Sequence, residues 1–362
     1  MKSNELYPPY IHSWKTSAKS TWICSGTLAP LVLWSAYLYG YKTLFVWLVS
    51  VLTSMGTEAI VSAFTKKWTL GDGSAVLSGL LLAAIMPPAI PLYIPCLSAA
   101  FAILVVKAAF GGLGSNWMNP ALAGAAFAYV NWPKAMHEFV LPRVITGVDG
   151  ISASSPLSFI RSLSGGADLR IMEALKSASY PLSGFDIKVT QFLNDGFFSA
   201  LGSQLPEGYI DLGLGFKPGA LGESALVVII IGSVFLLSLK LIKSIIPLTM
   251  LTVFSVLVRL FGTGLPGEYL FSGDVLFALF NGGVLFAAFY MAPEPVTSPS
   301  GKLDNFVYGL ILGVLCYVFR RWAAKPEGAV YAILIMNVLG PSLEKMLDSI
   351  RKAISQHRQA KR

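Results

Sequence analysis

The run Gly79-Leu80-Leu81-Leu82-Ala83-Ala84-Ile85-Met86-Pro87-Pro88 is apolar throughout and ends on two prolines. The second half of the chain offers a counterpart in Gly283-Val284-Leu285-Phe286-Ala287-Ala288-Phe289-Tyr290-Met291-Ala292-Pro293. A Gly-Asp pair precedes each run, Gly71-Asp72 and Gly273-Asp274, and Asn119-Pro120-Ala121 falls near the position of Lys325-Pro326-Glu327. The matches keep one order and a nearly constant offset. Proline removes a helical donor and glycine permits unusual backbone angles, so the clusters at 71–91, 111–120 and 292–301 read as interruptions in otherwise helical segments.

Around these runs the chain is built for lipid. Of 362 residues, 54% are hydrophobic and only 13% charged, against about 25% charged in soluble domains. Apolar segments near the roughly 20 residues needed to cross a bilayer recur at 21–40, 43–63, 74–90, 92–109, 117–132, 222–240, 244–262, 273–291, 305–321 and 327–343. The expected fold is therefore an all-α integral membrane protein of about ten transmembrane helices. Five spans per half is an odd number, so the halves (21–132 and 222–343) are expected to form two inverted five-helix repeats with Pro/Gly-broken helices. Such folds place a binding site near the midplane, where interrupted helices expose backbone groups. Bare backbone at that depth is tolerated only inside protein or facing a cavity.

Charge sets an orientation. With the N-terminal segment 1–20 in the cytoplasm, basic residues such as Lys66, Lys67, Lys107, Lys240, Lys243 and Lys302 fall inside. Only Lys42, Arg259, Arg320, Arg321 and Lys325 fall in short outside segments. The positive-inside rule then places both termini in the cytoplasm and the long loop 133–218 outside the cytoplasm. Lys2, Lys15 and Lys19 precede a first span without a cleavage site, so no removable signal peptide is expected. The tail 344–362 carries apolar residues at helical spacing among basic ones, as expected of an amphipathic cytoplasmic helix attracted to anionic membrane lipid or a partner subunit. The net charge of +8 does not point to nucleic acid, because the basic residues form no cluster with interleaved aromatics.

Three cysteines and three histidines lie far apart without ligand spacing, so no metal, haem or iron-sulfur site is expected from this chain alone. Each cysteine reads most simply as a small apolar filler. Ionisable residues in or beside spans are Glu58, Asp72, Lys107, Glu223, Arg259, Asp274 and Glu294; most suit helix ends at the interface, and Glu58 and Lys107 suit that reading least. The loop holds Asp149-Gly150-Ile151-Ser152-Ala153-Ser154-Ser155-Pro156. Its hydroxyls are expected to be unshielded, with Ser155 held extended by the following proline. Such a run is either a solvated linker or an acceptor for a phosphoester.

Four motifs carry a family resemblance that covers nearly the whole chain: Gly71-Asp72-Gly73-Ser74-Ala75-Val76-Leu77-Ser78-Gly79, Phe110-Gly111-Gly112-Leu113-Gly114-Ser115-Asn116-Trp117-Met118-Asn119-Pro120-Ala121, Leu221-Gly222-Glu223-Ser224-Ala225, and Pro293-Glu294-Pro295-Val296-Thr297-Ser298. The chain resembles the D subunits of Rnf-type ion-translocating oxidoreductases, related to the B subunit of the Na+-translocating NADH:quinone oxidoreductase. The resemblance implies a loop motif Asp-x-x-Ser/Thr-Gly-Ala-Thr/Ser whose last hydroxyl a flavin transferase joins to the FMN phosphate, using FAD. Asp149 and Ser152 match, Ser155 stands at the attachment position, and Ala153 and Ser154 depart from Gly-Ala, leaving Ser154 as a neighbouring acceptor.

The resemblance also implies a second, noncovalent flavin, riboflavin, near Asn116 and Asn119. These side chains either match the flavin ring's carbonyl and N–H edge or cap a broken helix. Glu294, where the family has Asp, is assigned by the same resemblance to the flavin or the ion path. The implied function is an electron-carrying subunit in a bacterial inner (cytoplasmic) membrane complex that couples ferredoxin:NAD+ chemistry to Na+ or H+ movement. Its implied partners are iron-sulfur and NADH-binding subunits and a second flavinylated subunit. This chain lacks a G-x-G-x-x-G in a strand-to-helix context and so is not expected to bind the nicotinamide. Rival readings are a solute channel of urea-channel-like fold and a flavin-free quinone-binding or scaffold subunit, since fold does not fix function.

Overall fold

The computed structural model describes residues 17–112, 114–147, 150–162, 171–177, 180, 182–262, 270–322 and 328–360. The fold is mostly helical. Four helices are long and apolar enough to cross a membrane, Ser17–Tyr39, Lys42–Thr65, Lys302–Trp322 and Gly328–His357, and shorter apolar helices pack among them.

In the first half, α1 (Ser17–Tyr39) and α2 (Lys42–Thr65) turn on Gly40 (φ 94°). Between them lies α3 (Ser74–Ile85), whose Gly79 meets α2 so closely that a Cβ would stand 2.7 Å from the Val51 Cα. Helix α4 (Tyr93–Phe101) widens into a π-helical turn, Ala102–Ala108. Asn119 then starts α5 (Pro120–Asn131): its Oδ1 accepts from the N–H groups of Ala121 (3.0 Å) and Leu122 (3.3 Å), with Pro120 in the first turn. A side-chain acceptor before a proline is the usual start of a helix.

The segment after α5 is folded, not an open linker. Strands β1 (Phe139–Val140) and β2 (Ser152–Ala153) pair antiparallel. Helices α6 (Pro156–Ser162), α7 (Gly184–Leu193) and α8 (Tyr209–Leu214) gather around Leu157, Ile160, Leu175, Tyr209 and Leu212. Asp186 organises the turn by accepting from Gly208 N–H (2.7 Å) and Asp211 N–H (2.9 Å). Burial raises the Asp211 carboxyl above its ordinary range, although Ser183 donates to it through both N–H and hydroxyl. The unit docks on the membrane region through Phe277, which joins its core.

In the second half follow α9 (Leu226–Ser238), α10 (Ile245–Phe261), α11 (Val275–Phe280), α12 (Val284–Phe286, running into a π-helical turn Ala287–Met291), α13 (Lys302–Trp322) and α14 (Gly328–Ala360). The expected single span 273–291 is broken, because Gly282 and Gly283 take φ of 70° and 63° and no helix continues through that conformation. The tail is not a separate helix: α14 continues through Pro341 from span to terminus, and Arg351 pairs with Asp304 at the start of α13. Arg320, expected outside, is only 2% exposed, and Lys107 is 4% exposed. One charge thus leaves each side of the positive-inside tally, and the asymmetry stands. The Lys325-Pro326-Glu327 match lies outside the described residues.

One core runs through both halves, joining Leu82 and Met86 to Leu226, Ala288 and Leu312. Gly79→Ala is expected to lower stability by about 1–3 kcal/mol through overpacking. Gly26→Ala, on an exposed face with nothing within 4 Å, is expected to leave it unchanged. Thermal unfolding of the detergent-solubilised chain compares the two.

Candidate functional site

The interruptions of both halves, with the N-terminal end of α1, enclose a cavity of about 320 Å³. The sequence builds its wall locally. After the π-helical turn the chain runs through Gly111, Gly112 and Gly114, all at positive φ. Nothing lies within 4 Å of where a Cβ of Gly112 or Gly114 would stand, so these glycines serve backbone conformation and not space. The turn they make delivers Asn116 and Asn119, both buried, to the cavity.

Asn116 Nδ2 donates to the Met118 carbonyl (3.1 Å) and to Glu294 Oε1 (3.4 Å). Thr297 Oγ1 donates to the other Glu294 oxygen (3.3 Å). Asn119 uses its oxygen as the α5 cap, while its amide also faces Glu294. Asn337 of α14 lies behind it, oriented so that its oxygen accepts from Asn119 N–H (3.0 Å) and its nitrogen donates to Thr297 Oγ1 (3.2 Å). Leu77, Leu81, Leu236 and Ile242 supply apolar wall, and Tyr290 lines the cavity with its hydroxyl donating to Thr27 of α1 (3.2 Å).

A charged network stands at one side. Lys107 Nζ, which lines the cavity, pairs with Glu58 Oε1 at 2.7 Å and donates to Ser74 Oγ. Ser74 in turn donates through hydroxyl and N–H to Asp72 Oδ1, and Thr69 donates to Glu58 (2.7 Å). The two residues least suited to helix ends are thus each other's partner. Desolvating both charges is offset only when geometry and surrounding hydrogen bonds are good, and here three further polar groups surround the pair.

Of the residues expected to matter, Asn116, Asn119 and Glu294 meet at this cavity. Ser74, Thr297 and Asn337 were not anticipated; Asn337 was the findable one, a lone amide in an apolar span. The loop hydroxyls lie elsewhere. Asp149 is outside the described residues, and Ser152 and Ser154 are exposed. Ser155 is not the unshielded hydroxyl expected of it: it is 5% exposed. Its Oγ donates to Ser158 Oγ (2.9 Å) and accepts from Ser158 N–H (3.3 Å), capping α6. The proline that holds Ser155 extended is also the first residue of that helix, and an extended residue before a helical proline is a cap.

Fold and site define a multi-pass helical membrane protein with a polar cavity walled by broken helices. The chain matches the NQR2, RnfD, RnfE family over residues 6–351 and belongs to that family. It is 29% identical to the D subunit of the proton-translocating ferredoxin:NAD(+) oxidoreductase complex of Clostridium ljungdahlii, over 95% of this chain and 94% of that protein. It is 31% identical to the D subunit of the ion-translocating oxidoreductase complex of Stutzerimonas stutzeri, over 88% and 87%. The D subunit of the Na(+)-translocating ferredoxin:NAD(+) oxidoreductase complex of Acetobacterium woodii is 29% identical, over 88% and 85%.

Lys107→Met is expected to destabilise the chain by about 3–5 kcal/mol, because it strands the buried Glu58 carboxylate. Adding Glu58→Leu should restore much of the loss. A double-mutant cycle read by thermal unfolding checks this.

Proposed function

We propose that this chain is the membrane subunit of an Rnf-type complex that passes electrons between a noncovalent flavin in the cavity and an FMN esterified to Ser155. The reading includes ten spans in two inverted repeats in a bacterial inner membrane, both termini in the cytoplasm and the 133–218 unit outside it. The observation that carries it is the convergence of Asn116, Asn119 and Glu294 on one cavity. At about 320 Å³ it has the size of a small-molecule site, and it pairs apolar walls with amide donors and acceptors of the kind a flavin ring presents. The named relatives add support, since all three are D subunits of translocating oxidoreductase complexes. A solute channel has no use for an acceptor hydroxyl in a folded outer unit.

A bound flavin supplies one- and two-electron transfer; the protein positions it and sets its surroundings. In the cavity the Asn116 amide is the orienting donor, and Glu294, held by Asn116 and Thr297, is a group able to hold a proton beside the site. Leu77, Leu81 and Leu236 exclude water. At the outer unit the Ser158 N–H and hydroxyl already point at Ser155 Oγ, so they are suited to an ester oxygen there. Because Ser155 is buried, a transferase must act before α6 packs or with its first turn open. Iron-sulfur and NADH-binding subunits, a second flavinylated subunit and a flavin transferase are the partners this role requires.

The chain coexpressed with a flavin transferase is expected to give a fluorescent band in a denaturing gel that Ser155→Ala abolishes and Ser154→Ala keeps. A band lost only with Ser154→Ala would move the linkage to the exposed neighbour, and no band in the parent would defeat the covalent half of the reading. Acid extraction of Ser155→Ala protein should still release flavin, and Asn116→Leu should release at least roughly tenfold less, since the orienting amide is gone.

A further inference from the structure

The segment 217–224 threads between the interruptions of the two halves. Toward the first half, Leu221 N–H donates to the Met86 carbonyl at the end of α3 (3.0 Å). Gly222 lies against Ala84, where a Cβ would come within 2.7 Å of the carbonyl oxygen. Toward the second half, Lys217 Nζ donates to the Phe280 carbonyl and to Asn281 Oδ1 (3.2 Å). Arg320 of α13 reaches the same place, donating to the carbonyls of Ala278, Asn281 (2.8 Å) and Gly282 (3.2 Å). Lys217 and Arg320 are 1% and 2% exposed.

These oxygens belong to the C-terminal end of the half-helix α11 and to the unwound turn after it, where the helix dipole leaves partial negative charge. In transporters with broken helices such ends and turns coordinate Na+ or H+. Here two covalently held cations occupy them. Glu223, 8% exposed, balances their charge; its Oε2 meets no hydrogen-bond partner among the described residues. It lines a cavity of about 60 Å³ with Gly222, Gly282 and Gly283, room for roughly two waters. Capping carbonyls needs only neutral donors, and two buried cations at one break place positive charge where a cation would pass.

We propose that Lys217 and Arg320 form a fixed-cation seal that closes the seam between the two halves to Na+ and H+. Ions driven by the complex then cross elsewhere than through this carbonyl cluster. A fixed Arg or the positive end of a half-helix excludes cations from pores in the same way.

The test is passive permeability of the full chain in vesicles without electron donors, read as radiosodium uptake and as dye-reported H+ entry after a pH step. Wild-type vesicles are expected to be as tight as protein-free ones. Lys217→Met and Arg320→Gln, checked for folding by monodisperse elution and thermal unfolding, are expected to raise cation entry at least roughly tenfold. Lys217→Arg and Arg320→Lys should stay tight. A leaky wild type, or folded neutral variants as tight as protein-free vesicles, overturns the seal. Should the neutral variants not fold, the charge-keeping pair decides, since leak through either folded variant also overturns it. The flavin reading is untouched by either result.

Discussion

A backbone carbonyl or N–H left bare in hydrocarbon costs several kcal/mol, and this chain breaks its helices repeatedly at membrane depth. The rest of the structure follows from how those groups are paired. Asp72 accepts from Ser74 N–H (2.8 Å) ahead of α3, and Asp274 accepts from Phe277 N–H (2.9 Å) at the start of α11. The Gly-Asp pair that recurs in the two halves is thus a recurrence of capping chemistry. Asn119 does the same for α5. At the opposite ends, Met86 finds the N–H of Leu221, and the carbonyls after α11 find Lys217 and Arg320.

Two kinds of buried charge result, with different logic. The Glu58–Lys107 pair is neutral as a unit and stands beside a cavity with room for a ligand. Its hydrogen bonds run to Ser74 and Thr69, so it braces the approach to α3. Lys217 and Arg320 face backbone oxygens instead, where partial charges from several peptide groups do the work of a carboxylate. That arrangement ties the outer unit to the membrane region, because Lys217 ends the loop and Arg320 ends α13.

What was legible in the sequence had local causes. Glycine and proline clusters located the interruptions, since their effect on the backbone needs no distant partner. The motifs holding Asn116, Asn119 and Glu294 were visible, and both readings of Asn119 hold part of the truth: it caps α5 and lines the cavity. What was not legible depended on tertiary contacts. Nothing near Arg320 announces carbonyls some forty residues away as its partners, and a charge tally assigns it to the surface. The burial of Ser155 depends on Leu157, Ile160 and Leu175 packing beneath α6. The folded outer unit escaped notice because its carboxylates, Asp186 and Asp211, are bound to backbone N–H groups that no spacing rule marks.

The outer unit and the membrane breaks are mechanically one structure. Tyr209 of α8 donates to Asp274, the cap of α11, and Phe277 of that helix completes the outer core. Arg161, near the end of α6, donates to the backbone carbonyl of Arg320. Ser155 begins α6, so whatever Ser155 carries sits on the helix whose other end holds the backbone of a cation bound to the midplane break. Close-packed interiors transmit strain because they have few voids to absorb it. A charge or bulk added at the start of α6 therefore acts on a short, stiff element with Arg320 at its far end, and the half-helix α11 is the part of the membrane region it meets first.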